Sequence, residues 1–118
     1  MSSNCHVLII EDEPLIALSI QTILEDEGVT SFAFADTQAA AIASALSHHP
    51  DVITSDVKLV HGTGPLAVDA IYKTLGEIPV IFLTATPNDC TPCNPPGQVL
   101  RKPIKSTELA AAFHSALE

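Results

Sequence analysis

Four short apolar runs in this sequence end the same way, on residues that carry a charge or a hydroxyl. His6 to Ile10 runs into Glu11 and Asp12, and Val52 to Thr54 into Ser55 and Asp56. Pro79 to Leu83 runs into Thr84, and Val99-Leu100 into Arg101 and Lys102. Runs of this length, rich in Val and Ile, read as strands buried in a parallel sheet. A buried strand does not hold ionised groups at its centre, so the polar residues mark where each strand leaves the core. A fifth run, Val29 to Phe34, alternates more and reads as a half-exposed strand.

Between these runs the apolar residues take helical spacing. Leu15, Leu18, Ile23 and Leu24 form a stripe that stops at Gly28. Ala39, Ile42, Ala43 and Leu46 form a second, halted before Pro50, and Leu66, Val68, Ile71 and Leu75 a third, halted at Gly76. Leu109, Ala112, Phe113 and Leu117 form the last, with Ser106 or Thr107 as the expected N-cap. Strand and helix alternate, which predicts an α/β fold with a five-stranded parallel sheet. The alternation fails between Ala85 and Gly97, where four prolines and almost no apolar residues occur. Prolines inside a helix remove backbone donors and clash with the preceding turn. An irregular loop is therefore expected where the fourth helix would stand.

The 118 residues suffice for one domain with one core. Fourteen acidic residues against five basic ones give a net charge of −9, which supplies no basic field for nucleic acid or an anionic membrane. No apolar run approaches the roughly 18 residues of a membrane span. The start of the chain has no basic region and turns acidic early, unlike a signal peptide. Three cysteines, Cys5, Cys90 and Cys93, without a secretory signal read as reduced thiols and a cytoplasmic location.

In an open parallel sheet, ligands bind outside the carboxyl ends of the strands. Those ends bring Glu11, Asp12, Asp56, Thr84 and Lys102 to one edge. Three carboxylates held together repel unless protons or a cation intervene. An oxygen-rich set with room for water suits Mg²⁺. A lysine and a threonine beside it suit an anion carried in with the metal, such as a phosphoryl group. Each residue alone is an ordinary turn or surface residue; the joint pattern at four strand ends carries the reading.

The chain resembles bacterial response-regulator receiver domains over essentially its whole length. The resemblance rests on Val7-Leu8-Ile9-Ile10-Glu11-Asp12-Glu13-Pro14, Asp51-Val52-Ile53-Thr54-Ser55-Asp56-Val57, Pro79-Val80-Ile81-Phe82-Leu83-Thr84-Ala85, Arg101-Lys102-Pro103-Ile104, and Gly64 eight residues after Asp56. It implies a flavodoxin-like doubly wound sheet of order 2-1-3-4-5, with residues 1–118 forming one receiver domain. It implies that Asp56 accepts a phosphoryl group from a phosphohistidine of a sensor kinase or phosphotransfer protein. Glu11, Asp12, Asp56 and the carbonyl of Lys58 would hold Mg²⁺, some through water. Thr84 and Lys102 would contact the phosphoryl group, and the peptide before Pro103 would be cis.

The sequence also departs from the family. Val99 stands where receivers usually carry Tyr or Phe, Val60 where a proline is frequent, and the proline-rich segment where the fourth helix is usual. Lys58 and Thr86 occupy positions that tune phosphoryl lifetime in receivers. The run from Asp56 to Gly64 is similar to single-domain receivers served by HWE-type kinases. A chain starting at Met1 and ending on a helix reads as a stand-alone response regulator that switches a protein contact or shuttles phosphate, not as a turnover enzyme. The alternatives are a phosphorylation-independent binding module of the same fold and a small phosphotransferase. Cys90 and Cys93 lack a second ligand pair and read as incidental thiols. His48 and His49 end a helix, His114 reads as a surface residue, and Glu25, Asp26 and Glu27 have no assigned role.

Overall fold

The computed structural model describes residues 5–85 and 97–118. β1 (His6–Ile10) is buried along its whole length, as a strand with neighbours on both edges and helices on both faces must be. β2 (Ser31–Ala35) pairs with one edge of it and β3 (Val52–Asp56) with the other; β4 (Val80–Thr84) and β5 (Gly97–Arg101) continue outward. All pairs are parallel and the order is 2-1-3-4-5. The direction of winding reverses between β1 and β3, and the carboxyl ends of these two strands open the crevice at that point.

Alternate residues of β1 face opposite layers. Val7 and Ile9 pack with α1 (Pro14–Asp26) and α4 (Ser106–Leu117), against Ala17, Ile20, Leu24, Leu109 and Phe113. Leu8 and Ile10 pack with α2 (Gln38–Ser47) and α3 (Gly64–Leu75), against Ala41, Ala45, Ala67 and Ile71. The helical stripes are rotated from those the sequence suggests. Leu15 and Leu18 are exposed, as are Ala39, Ala43 and Leu46 on α2 and Leu66 on α3. Ala17, Ala41, Ala45 and Ala67 take the inward positions instead. A methyl lets the helix approach the sheet closely, and the larger side chains fit at the flanks.

Other differences are smaller. β2 begins at Ser31, because Val29 is buried in the turn that leaves α1. α4 begins at Ser106, so Lys105 is its N-cap and neither Ser106 nor Thr107 caps it. His114 is a surface residue, as expected, and its Nε2 pairs with Glu27 Oε1, tying α4 to the end of α1. The predicted irregular loop, with Thr86, Cys90 and Cys93, lies outside the described residues. No helix among the described residues is long and apolar enough to cross a membrane.

At the amino end of the sheet a polar side chain is buried. His6 is 3% exposed. Its backbone N–H donates to Asp51 Oδ2 at 2.7 Å, and its Nδ1 lies 2.7 Å from Ser31 Oγ. The ring stacks on His48 at 3.6 Å, the helix-end histidine of α2. Burial, and then His48, hold the imidazole below its ordinary pKa against the opposing charge of Asp51.

Candidate functional site

Register brings the strand-end residues together. Ile10 pairs with Ser55, so Glu11 and Asp56 leave adjacent strands at the same level. Asp56 pairs with Leu83 and Thr84 with Arg101, which brings Thr84 and Lys102 to the same edge. One carboxylate oxygen from each of Glu11, Asp12 and Asp56 lies within 4.8 Å of the others, the one such acidic, His or Cys group among the described residues. Lys102 Nζ lies 3.2 Å from Asp56 Oδ2 and 3.4 Å from Glu11 Oε1, bridging two of the three acids. The Lys102–Pro103 peptide is cis, as the resemblance implies, and the Lys102 N–H donates to the Thr84 carbonyl at 2.9 Å.

The electrostatics follow from crowding. The Glu11 side chain is fully shielded from solvent. Burial pushes its carboxyl up to about 7; the Asp56 charge adds to this, and Lys102 and the Glu13 N–H oppose it. Burial also pulls the Lys102 ammonium down, but Glu11 and then Asp56 outweigh it and leave it above its ordinary value. One ammonium thus serves two carboxylates, with a third beside them.

The backbone completes the pocket. The Val57 N–H donates to Asp56 Oδ1 at 2.9 Å, and the Val60 N–H to Asp12 Oδ2 at 2.8 Å. Lys58, two residues from Asp56, forms a bridge with Thr63 at the neck of this loop. Gly64 opens α3 directly against the end of β3. A Cβ there would stand 1.9 Å from the Asp56 carbonyl oxygen and 2.1 Å from Ser55 Oγ, so only glycine fits. Thr84 is buried at the end of β4. The structure therefore unites Glu11, Asp12, Asp56 and Lys102, sets Thr84 alongside, and puts Lys58 in the loop above. The backbone donors of Val57 and Val60 have no residue-type signature and escaped the sequence reading.

The donor set fits Mg²⁺. All three groups are hard oxygen donors, without His or Cys among them. Opposite ligands of an ion with Mg–O near 2.1 Å stand about 4.2 Å apart. A span of up to 4.8 Å therefore suits an ion that takes some of these carboxylates through water.

Fold and site together define a class: an open α/β domain with an acidic cluster and a lysine at the carboxyl edge of its sheet. The sequence model of the response regulator receiver domain matches residues 7–114, and the chain belongs to that family. It is similar to the phyllosphere-induced regulator PhyR of Methylorubrum extorquens, with 40% identity over 95% of this chain and 43% of that protein. The solution structure of the PhyR receiver domain of Erythrobacter litoralis superposes with a TM-score of 0.85 at 28% identity, covering 96% of this chain and 89% of that one. The crystal structure of PhyR from Brucella abortus gives 0.84 at 34% identity, covering 95% and 47%. The chain thus spans less than half of the curated PhyR it matches.

Proposed function

We propose that residues 1–118 form a receiver domain that accepts a phosphoryl group on Asp56 from a phosphohistidine and passes the change to a protein partner. The observation that carries this reading is the convergence of three carboxylates with one bridging ammonium. Asp56 lies next to Lys102 and within a few ångströms of Glu11 and Asp12. A carboxylate oxygen of Asp56 forms the bond to phosphorus as the bond from the histidine nitrogen breaks. The imidazole leaves with that electron pair. Mg²⁺, when bound by Glu11, Asp12, Asp56 and the Lys58 carbonyl, neutralises charge where two anions meet.

Lys102, which bridges Asp56 and Glu11, would pair with the incoming phosphoryl oxygens once a bound cation offset those carboxylates. The Thr84 hydroxyl donates to another of those oxygens. Receivers are signalling folds, and the chemistry proposed here acts on the domain itself. The donor is a sensor histidine kinase, of HWE type by the likeness of the Asp56–Gly64 run, or a histidine phosphotransfer protein. The similarity to PhyR, described in Bartonella quintana as an anti-anti-sigma factor, suggests an output toward an anti-sigma factor.

The test is intact mass after incubation with Mg²⁺ and acetyl phosphate. The expected result is the gain of one phosphoryl group, abolished in Asp56→Asn. No gain, with beryllofluoride also leaving the amide spectrum unmoved, would replace this reading with a phosphorylation-independent module.

A further inference from the structure

The loop between β3 and α3 reaches over the acidic cluster, and its tip is a turn closed by the Leu59 N–H donating to the Gly62 carbonyl at 3.3 Å. Its neck is closed by the Gly64 N–H donating to the Val57 carbonyl and by the Lys58–Thr63 bridge. Leu59 packs against the core, but Val60 at the tip is 75% exposed. Packing of the Val60 side chain therefore does not fix the N–H that holds Asp12.

The loop's other anchor comes from α2. The Gln38 N–H donates to the His61 carbonyl at 3.1 Å, and Gln38 Oε1 accepts from the Thr63 N–H at 3.1 Å. One residue thus grips the loop's returning limb twice. The grip is close because Gly62 has no side chain: a Cβ there would lie 2.4 Å from Gln38 Cβ, and its φ of +90° is one that glycine adopts without strain. The connection runs from Gln38 through 61–63 to the Val60 N–H and on to Asp12 Oδ2.

We propose that Gln38 is a positioning residue of the Mg²⁺ site, holding the 58–63 loop so that the Val60 N–H orients the Asp12 carboxylate and the Lys58 carbonyl faces the cluster. The inference rests on the receiver reading above. Mg²⁺ demands near-octahedral geometry, so a loop free to drift costs affinity directly. Groups that orient metal ligands, without touching the metal, commonly control binding to this degree.

The test is a Mg²⁺ titration of the full chain without phosphodonor, followed by amide NMR. Gln38→Met keeps the length of the side chain and removes the acceptor. It is expected to weaken Mg²⁺ binding about tenfold. Gln38→Glu restores an acceptor for Thr63 and is expected to bind close to wild type. A merely structural role would change the urea midpoint of Gln38→Met and leave its Mg²⁺ affinity unaltered; that result overturns the proposal. Should Gln38→Met fail to fold, the wild-type titration decides. Mg²⁺-induced shifts at Val60, Thr63 and Gln38 support the link, and shifts confined to residues 11, 12 and 56 overturn it. No Mg²⁺ binding by wild type would instead overturn the receiver reading and the inference with it.

Discussion

His6 begins β1 and Glu11 follows its last residue, so one strand supplies a buried titratable group to each edge of the sheet. At the amino edge, burial favours the neutral imidazole, and Ser31 and the backbone bond to Asp51 hold it in place. Its Nε2 is left without a hydrogen-bond partner. At the carboxyl edge, Glu11 shares one ammonium with Asp56, and Asp12 adds a third carboxylate nearby. One edge is arranged to keep charge out. The other gathers more negative charge than its lysine balances, which is the condition for drawing in a cation. A buried polar residue thus says little by itself; whether its neighbours complete it or leave it in excess separates scaffold from site.

The contrast can be broken hardest at Gly64. Gly64→Ala is expected to lose about 4 kcal/mol or more, or not to fold, because the clash is with strand backbone that cannot turn aside. Urea unfolding and amide dispersion check it. Lys102→Met comes next. Removing the shared ammonium leaves two largely buried carboxylates facing each other, an expected loss of about 3 kcal/mol in metal-free buffer. Saturating Mg²⁺ is expected to recover much of that loss, and a variant equally unstable with and without Mg²⁺ would deny the charge-excess picture. At the other edge, Asp51→Ala removes the acceptor of the His6 N–H and is expected to cost about 1–2 kcal/mol, independent of Mg²⁺.

The smallest effects are pH slopes, and they oppose each other. Glu11, raised to about 7 from 4.5, binds its proton more readily folded than unfolded. Its contribution therefore grows as pH falls from 7 toward 4.5. His6 is held below 6.5, so the unfolded chain takes that proton first, and stability is lost as pH falls below 6.5. Each contributes at most about 1.4 kcal/mol per pH unit. His6→Phe, which keeps a ring against His48, is expected to make metal-free stability rise more on going from pH 7 to 5. Glu11→Gln is expected to make it fall more. Urea midpoints at the two pH values read both, and parallel profiles in the two variants would erase the distinction between the edges.

The residues of the site are legible in the sequence, because each stands where one of four apolar runs stops, and few arrangements of such strands are open to the chain. Glu11, Asp12, Asp56, Thr84 and Lys102 needed only their positions in sequence. The helices were legible as helices but not in their rotation. Periodicity follows the large apolar residues, so it puts Leu15, Leu18 and Leu66 on the apolar stripes, whereas the fold turns Ala17 and Ala67 inward. The interactions that tune the site were hidden for a different reason. Val60 to Asp12, Gln38 to Thr63 and His114 to Glu27 join residues 48, 25 and 87 apart. Their partners are backbone groups or common surface side chains. Nothing local in a sequence marks a contact that tertiary packing creates.

Lys102 lies 91 residues from the Glu11 it pairs with. A ribosome releases Glu11, Asp12 and Asp56 well before it adds the lysine that pairs with two of them. While β5 is still unmade, the nascent chain carries the acids of the site without their ammonium and with β4 lacking its outer neighbour. The last strand therefore covers the outer edge of β4 and is followed at once by the ammonium that offsets part of the cluster's charge, so a chain interrupted before residue 102 has an uncovered β4 and a more strongly anionic strand end.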